Sequence, residues 1–375
     1  MDVIRYTSPG ASYLLGAASV VSGLTSGTWI ERYDEPGEFS FKSPWVAETI
    51  KQLPLGALVS HVKTAELMLV TEHAVTNEDG VREVTVKGRG FLDILKQRYV
   101  GTLAAESSPV KQPYVVSSAR PDAAILKTIY DHIIYDSHDV GNVSYIRGMP
   151  KLVAFNVVSW PAPAPAPSSH IIDDGTVWRG VEELLNAHDL GIRVLRPGSL
   201  SFSNTDTIIL IHNGNDLTKS VKFDSFDQTV GVEESVRNTN ELYTHAFVKS
   251  TWFRLSVKIN NSSPLSVRQV ELDVSYLDAQ FDTVPGGQAA IYVLAVMQYL
   301  GQQAIRARRL KAYTSGTFIN HRYVRCRVHY NVGDLVGVVD SNGDVQTKRV
   351  VEFVETFDKT EETNYPTFRE IEETQ

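Results

Sequence analysis

The chain has 375 residues, 42% of them apolar and 21% charged, with 36 basic against 44 acidic side chains and a formal charge of −8. It is long enough for more than one compact core and too apolar for a disordered protein. The acidic balance argues against a protein built to grip nucleic acid, which needs clustered Lys and Arg. The single cysteine, Cys326, excludes an intrachain disulfide.

In chain order, Tyr13 to Leu24 is the first apolar run. It has the length of a signal-peptide core, but only Arg5 precedes it, so it reads as part of the fold. Leu67 to His73 is strand-like. Glu78-Asp79-Gly80 interrupts, and Val84 and Val86 resume alternation against Thr85 and Lys87, which predicts a tight hairpin. Phe91 to Arg98 predicts a short helix with Phe91, Leu92 and Leu95 on one side. Pro121 suits a first helical turn, and Ile125, Ile129 and Ile133 then recur at helical spacing. Pro161 to Pro167 alternates proline with alanine and predicts an exposed, extended linker.

Val177, Val181, Leu184 and Leu185 form a second helical stripe, with Gly191 placed where that helix could stop. Asn213-Gly214 between Thr207–Ile211 and Val221–Phe223 is a candidate turn, as is Asn342-Gly343 between Leu335–Val339 and Val345–Val351. Gln288 to Arg309 predicts one long helix, whose apolar part, Ala289 to Leu300, is shorter than the roughly 20 residues a bilayer requires. Val324, Cys326, Val328 and Tyr330 alternate with Arg325, Arg327 and His329, which predicts a half-buried strand. The acidic stretch Phe357 to Gln375 reads as a last hairpin strand with a frayed end. Repeated hairpins favour antiparallel barrels over a parallel sheet.

Chemistry is sparse. Lys87-Gly88-Arg89-Gly90 lies where a dinucleotide-binding glycine motif would, but position 93 is Asp and the preceding strand pairs in a hairpin, so it reads as a strand-to-helix turn. The acidic pairs Asp173-Asp174, Glu182-Glu183 and Glu233-Glu234 are adjacent in sequence and point apart, unlike the facing carboxyls of a glycosidase. His132 and His138 do not share a helical face, and no HExxH, Cys–His or GxSxG pattern occurs. Cys326 reads as a buried inert thiol. Arg306, Arg308, Arg309 and Lys311 form a basic cluster suited to a helix C-terminus or a subunit contact. The expectation is no catalytic, cofactor-binding or metal-binding residue, no cofactor and no enzymatic activity.

Four stretches carry a family resemblance: Trp29 to Phe41 (WIERYDEPGEFSF), Val84 to Arg98 (VTVKGRGFLDILKQR), Asn215 to Phe223 (NDLTKSVKF) and Tyr330 to Val338 (YNVGDLVGV). In this order they resemble the tail-hub proteins of long-tailed phages, the siphophage minor tail proteins related to the contractile baseplate hub. The sequence departs from that family in Leu217, where Arg is usual, and in the Pro-Ala insert.

The resemblance implies a mainly β fold with α+β inserts: two tail-tube-like antiparallel β-barrels plus two smaller α/β domains. The expected division is a first barrel at 1–105, an α+β insert at 106–195 containing the 161–167 linker, a second barrel from 196–252 and 312–375, and a strand-plus-helix domain at 253–311. It further implies a homotrimeric hub ring at the virion's tail tip, synthesised in the host cytoplasm and not inserted in membrane. Its partners would be the tail tube or distal tail ring, the tape measure and tail-tip or fibre proteins, with phage DNA passing without specific binding. The expectation is that no added hydrolase domain follows the last hub-like hairpin. A tail-associated cell-wall hydrolase and a receptor- or carbohydrate-binding tail protein are the alternatives. The first lacks convergent carboxylates, and the second would use Trp and Tyr residues that lie scattered along the chain.

Overall fold

The computed structural model describes residues 2–6, 18–78, 80–100, 114–118, 120–134, 155–159, 168–172, 175–196, 207–224, 230–238, 244–258, 269–276, 286–306, 311–318, 324–339, 343–358 and 360–371. The Pro-Ala linker, Asp173-Asp174 and His138 lie outside them. The chain forms two compact units. One comprises Met1–Thr229, Phe318–Val338 and Thr347–Arg369; the other comprises Val230–Thr317, Val339–Gln346 and Glu370–Gln375.

The elements of the first half are β1 (Val3–Tyr6), β2 (Ala18–Val21), β3 (Ser26–Arg32), β4 (Glu38–Ser43), α1 (Val46–Gln52), β5 (Leu58–His61), β6 (Met68–Glu78), β7 (Val81–Gly90), β8 (Tyr114–Ser118), α2 (Pro121–Ile129), β9 (Phe155–Ser159), β10 (Ser168–Ile172) and α3 (Val177–His188). There follow β11 (Gly191–Leu195), β12 (Thr207–His212), β13 (Lys222–Phe223), β14 (Val230–Asn238), β15 (His245–Lys249), β16 (Arg254–Lys258), β17 (Gln269–Asp273), α4 (Gly287–Arg306), β18 (Lys311–Phe318), β19 (Leu335–Val339), β20 (Val345–Phe357) and β21 (Glu362–Glu370). The fold is mainly β.

The larger unit is organised by one sheet of eleven strands in the order β13-β19-β20-β3-β4-β7-β6-β5-β1-β2, with β21 also on β20. Its middle is antiparallel, and β3 pairs on one side with β4 and on the other with β20 from the far end of the chain. The β6–β7 hairpin forms as the Glu78-Asp79-Gly80 signal predicts, with Glu78 opposite Val81 and Gly80 at positive φ. Alternation aims Trp29, Phe39, Phe41, Val84 and Val86 to one face, where they form an apolar cluster with Met68 and Val70. Trp29 stacks on Phe39 at 5.8 Å between ring centres.

A second apolar cluster joins helices to strands. The 3₁₀ helix Phe91–Gln97 supplies Phe91, Leu92 and Leu95, α2 supplies Ile125 and Ile129, and α3 supplies Val177, Val181, Leu184 and Leu185. Pro121 opens α2 as expected, while Ile133 falls in the π-helical turn Tyr130–Ile134 that follows it. They meet Ile192 and Val194 of β11 and Ile209 and Ile211 of β12. β11 and β12 run antiparallel and β12 and β9 parallel. The smaller unit packs α4 on the three-stranded sheet β16-β15-β17 through Val293, Met297 and Ile305. No helix among the described residues is long and apolar enough to cross a membrane.

Three expectations are corrected. α3 ends at Asp189, which adopts the left-handed conformation (φ 50°), and Gly191 opens β11 instead. Asn213-Gly214 does not join a hairpin, because β12 pairs with β11 and β9 while β13 pairs in parallel with β19. Residues 324–330 form no strand. Arg327 turns to φ 65°, Cys326 bridges Tyr330, and Val328 is 62% exposed.

Two glycines hold backbones together. A Cβ on Gly88 would fall 2.2 Å from the Phe39 ring, and one on Gly214 would fall 1.9 Å from the Gly333 carbonyl, with φ at +68°. Gly214→Ala is therefore expected to destabilise the protein by about 3 kcal/mol, combining a left-handed residue with a backbone clash. Gly343 also has positive φ, but nothing lies within 4 Å of its added Cβ. Gly343→Ala should cost only about 1 kcal/mol, and urea unfolding of the two variants separates clash from strain.

Candidate functional site

Among the described residues, the candidates for chemistry do not converge. Lys87 to Gly90 ends β7, where the Gly90 amide donates to the Gly37 carbonyl at 2.6 Å and fixes the step into the 3₁₀ helix. Glu183 is exposed and accepts from Arg179 at 3.2 Å along α3, beside Glu182. Glu233 and Glu234 belong to β14, but their side chains lie outside the described residues, as do those of the 306–311 basic cluster. His132 is buried with Nδ1 2.9 Å from the Thr128 carbonyl. Cys326 is buried, and burial raises its thiol pKa well above the usual range. Among the described residues no group of His, Cys, Asp and Glu has the geometry to hold a metal ion.

A shallow trough of about 620 Å³ crosses the sheet face opposite Trp29. Thr28, Ser40, Lys87 and Glu72 line it in one row, and Ile30, Glu38 and Arg89 in the next. Its charges pair among themselves: Lys87 with Glu72 at 2.9 Å, and Arg89 with Asp93 at 3.8 Å. Glu38 pairs with Arg32 at 2.7 Å. Nothing in it resembles an activated nucleophile or an acid–base pair.

The densest polar chemistry is buried. Glu31 of β3 lies on the Trp29 side of its strand and is 2% exposed. Arg193 of β11 reaches it at 2.6 Å and reaches Glu66 at 3.3 Å. Arg327 contacts Glu31 as well, and Glu355 of β20 at 2.8 Å. His61 of β5 places Nδ1 3.3 Å from Glu355. Burial alone would raise the Glu31 carboxyl, but Arg327 and Arg193 outweigh it and hold it below the ordinary value. Glu355 works against burial in the same way and is held down to about 2 by the nearby His61 ring and by Arg327.

Next to this cluster, Arg349 lies 4.7 Å over the Tyr33 ring and donates to the Asn213 carbonyl at 2.7 Å, to the Gly333 carbonyl and to Asp189. The Tyr33 hydroxyl donates to the Asp189 carbonyl at 2.9 Å. Burial, with Arg193 and Arg349 adding, lowers the His212 pKa to about 3, so its ring is neutral. Asp334 accepts from the backbone N–H of Asn331 at 2.7 Å and of Asn215 at 2.8 Å.

These groups explain the four sequence stretches. The first two form β3, β4 and β7, paired from Glu38↔Arg89 to Ser43↔Val84. The last two meet through Asp334 and Asn215, the Asp216↔Leu335 bridge and the β13–β19 pair. Glu31, His61, Glu66, Arg193, Arg327 and Glu355 were not read from sequence as a charge cluster. A signal existed: Glu31 shares the alternation of Trp29, and Arg193 interrupts Ile192 and Val194.

Residues 15–250, more than half of the chain, match the family described as Siphovirus ReqiPepy6 Gp37-like protein, and the chain belongs to that family. Among solved structures it is similar to a tail protein from Neisseria meningitidis MC58, at TM-score 0.55 and 12% identity over 97% of this chain and 95% of that one. It is also similar to the 43 kDa tail protein of prophage MuSo2 from Shewanella oneidensis, at TM-score 0.55 and 11% identity over 98% and 97% of the two chains. Prophage tail protein gp18 from Listeria monocytogenes EGD-e gives TM-score 0.51 and 12% identity over 98% and 94%. At such identities the likeness is one of fold: this chain has the fold of phage tail proteins. No curated protein sequence matches it.

Arg327→Met is expected to destabilise the larger unit by about 3–5 kcal/mol, because Glu31 and Glu355 would stay buried without their shared cation. Acid should act on the same contacts. A carboxyl held at about 2 in the fold, against an ordinary 4.5, stabilises above 4.5 and loses that contribution as pH falls through 2. Urea unfolding between about pH 6 and 2 should show this acid loss in the wild type and a smaller one in Glu355→Gln.

Proposed function

We propose that this protein is a structural component of a phage tail tip, a homotrimeric hub ring that terminates the tail tube and forms part of the DNA ejection channel. The observation that carries the reading is the use of the four family-like stretches. Their glycines and acids hold backbones in contact inside one sheet, which is architectural work. The protein has no catalytic site of its own in this reading.

The free sheet edges support ring formation. β5 pairs with β6 only at Met68 and Leu69, so among the described residues no strand lies along the outer edge of β6 from Thr71 to Glu78. Among the described residues β2 is paired only with β1. Exposed strand edges are templates for further strands. We infer that each chain supplies two tube-like barrels, at 1–105 and at 196–252 with 312–375, which close when neighbouring subunits meet. The smaller domains at 106–195 and 253–311 are inserted between the barrel segments along the sequence. Three chains then present six barrel positions, matching a sixfold tail tube. Net negative charge keeps DNA from adhering to such a ring. Its partners are the tube or distal tail ring, the tape measure and tail-tip or fibre proteins, and its place is the virion tail tip.

Cryo-electron microscopy of assembled tails is the test. Three copies in one ring are expected; six copies, or one copy on a fibre axis, would overturn the reading. A second test addresses chemistry. Asp173→Ala, Glu182→Ala and Glu233→Ala should each shift stability by under about 0.5 kcal/mol and leave infectivity near normal. Loss of cell-wall cleavage by tails carrying any of them, with particles intact, would contradict a purely structural role.

A further inference from the structure

The buried cluster contains three carboxylates and two guanidiniums. The groups that face one another come from every element packed there: Glu31 on β3, His61 on β5, Glu66 just before β6, Arg193 on β11, Cys326 and Arg327 in the turn, and Glu355 on β20. Three carboxylates against two guanidiniums leave one negative charge over in a largely buried site.

The cations are not shared equally. Glu31 contacts both arginines. Glu355 has Arg327 at 2.8 Å and His61 at 3.3 Å. Among the described residues Glu66 has only Arg193 Nη2 as a cationic partner, at 3.3 Å, and that same nitrogen lies 2.6 Å from Glu31. The nearer carboxylate takes most of the interaction, which leaves Glu66 the least compensated of the three. Its segment is also a junction. The Leu67 amide donates to the Val194 carbonyl and the Arg196 amide to the Ala65 carbonyl, both at 2.8 Å, tying this segment to β11.

We propose that Glu66 carries a proton in the folded protein, and that losing it loosens the junction between residues 65–67 and β11, making this junction a pH-sensitive clasp. Burial favours the neutral acid and raises its pKa to about 8; Arg193 opposes this and Glu31 reinforces it. Because the folded value exceeds the ordinary 4.5, the stabilising contribution is complete below 4.5 and is lost as pH rises through 8.

Two measurements on the full chain test the proposal. Infrared spectroscopy at about pH 6 should show the carbonyl stretch of a buried carboxylic acid, absent in Glu66→Gln and lost from the wild type above about pH 8. Hydrogen exchange at the Leu67 and Arg196 amides, corrected for intrinsic rate, should report an opening constant that rises about tenfold per pH unit between 5 and 8. In Glu66→Gln it should be nearly flat. Three results would overturn the proposal: a carboxylic-acid band that survives in Glu66→Gln, an unchanged exchange slope in that variant, or a slope abolished only by His61→Gln. Should Glu66→Gln not fold, absence of the band from the wild type at about pH 6 would overturn it equally.

Discussion

Burying Glu31 on the same face of β3 as Trp29 constrains much of the larger unit. A carboxylate moved out of water costs several kcal/mol unless cations and hydrogen bonds replace its hydration. The two cations that do so come from β11 and from the 326–330 turn, and the second of them is shared with β20. One side chain on β3 therefore sets where three other segments must lie. Hydrophobic burial stabilises the sheet but is non-directional. The charge cluster adds direction, since a guanidinium displaced by an ångström or two leaves its carboxylate stranded.

A second constraint is backbone proximity. Gly88 lets the Phe39 ring lie flat on β7, and Gly214 lets its loop touch the Gly333 carbonyl. Arg349 then binds the carbonyls on both sides of that contact, those of Asn213 and Gly333, while stacking on Tyr33. Gly88, Gly333 and Asp334, which lie in the stretches that resemble tail hubs, thus have roles in close backbone packing. The likeness in fold to tail proteins at 11–12% identity is consistent with this, because such packing preserves a shape while most side chains change.

Much of the local structure was legible in the sequence. The apolar stripes of α2 and α3, the proline that opens α2, the β6–β7 hairpin and the long α4 follow from periodicity and turn chemistry, which are short-range. Legibility ended where distant partners decide conformation. Arg327 sits in an alternating run that reads as a strand, yet its backbone turns left-handed while its side chain reaches Glu31, 296 residues away, and Glu355, 28 away. No local pattern encodes such a pull. Asn213-Gly214 misled for the same reason, since its glycine is required by Gly333 and not by a hairpin. The buried charges were readable only as interruptions of apolar alternation, as at Glu31 and Arg193.

The pairing of β3 with β20 has a consequence for how the chain is made. Arg32 and Glu352 are cross-strand neighbours separated by 320 residues. At synthesis rates of roughly 5–20 residues per second, the N-terminal strands leave the ribosome about 15 to 60 seconds before their last neighbour exists. Through that interval β3 exposes a hydrogen-bonding edge, and Glu31 lacks the Arg327 that completes its pairing. The nascent chain must wait half-zipped, and its final closure is a late, long-range event of the kind that folds slowly and calls on chaperones.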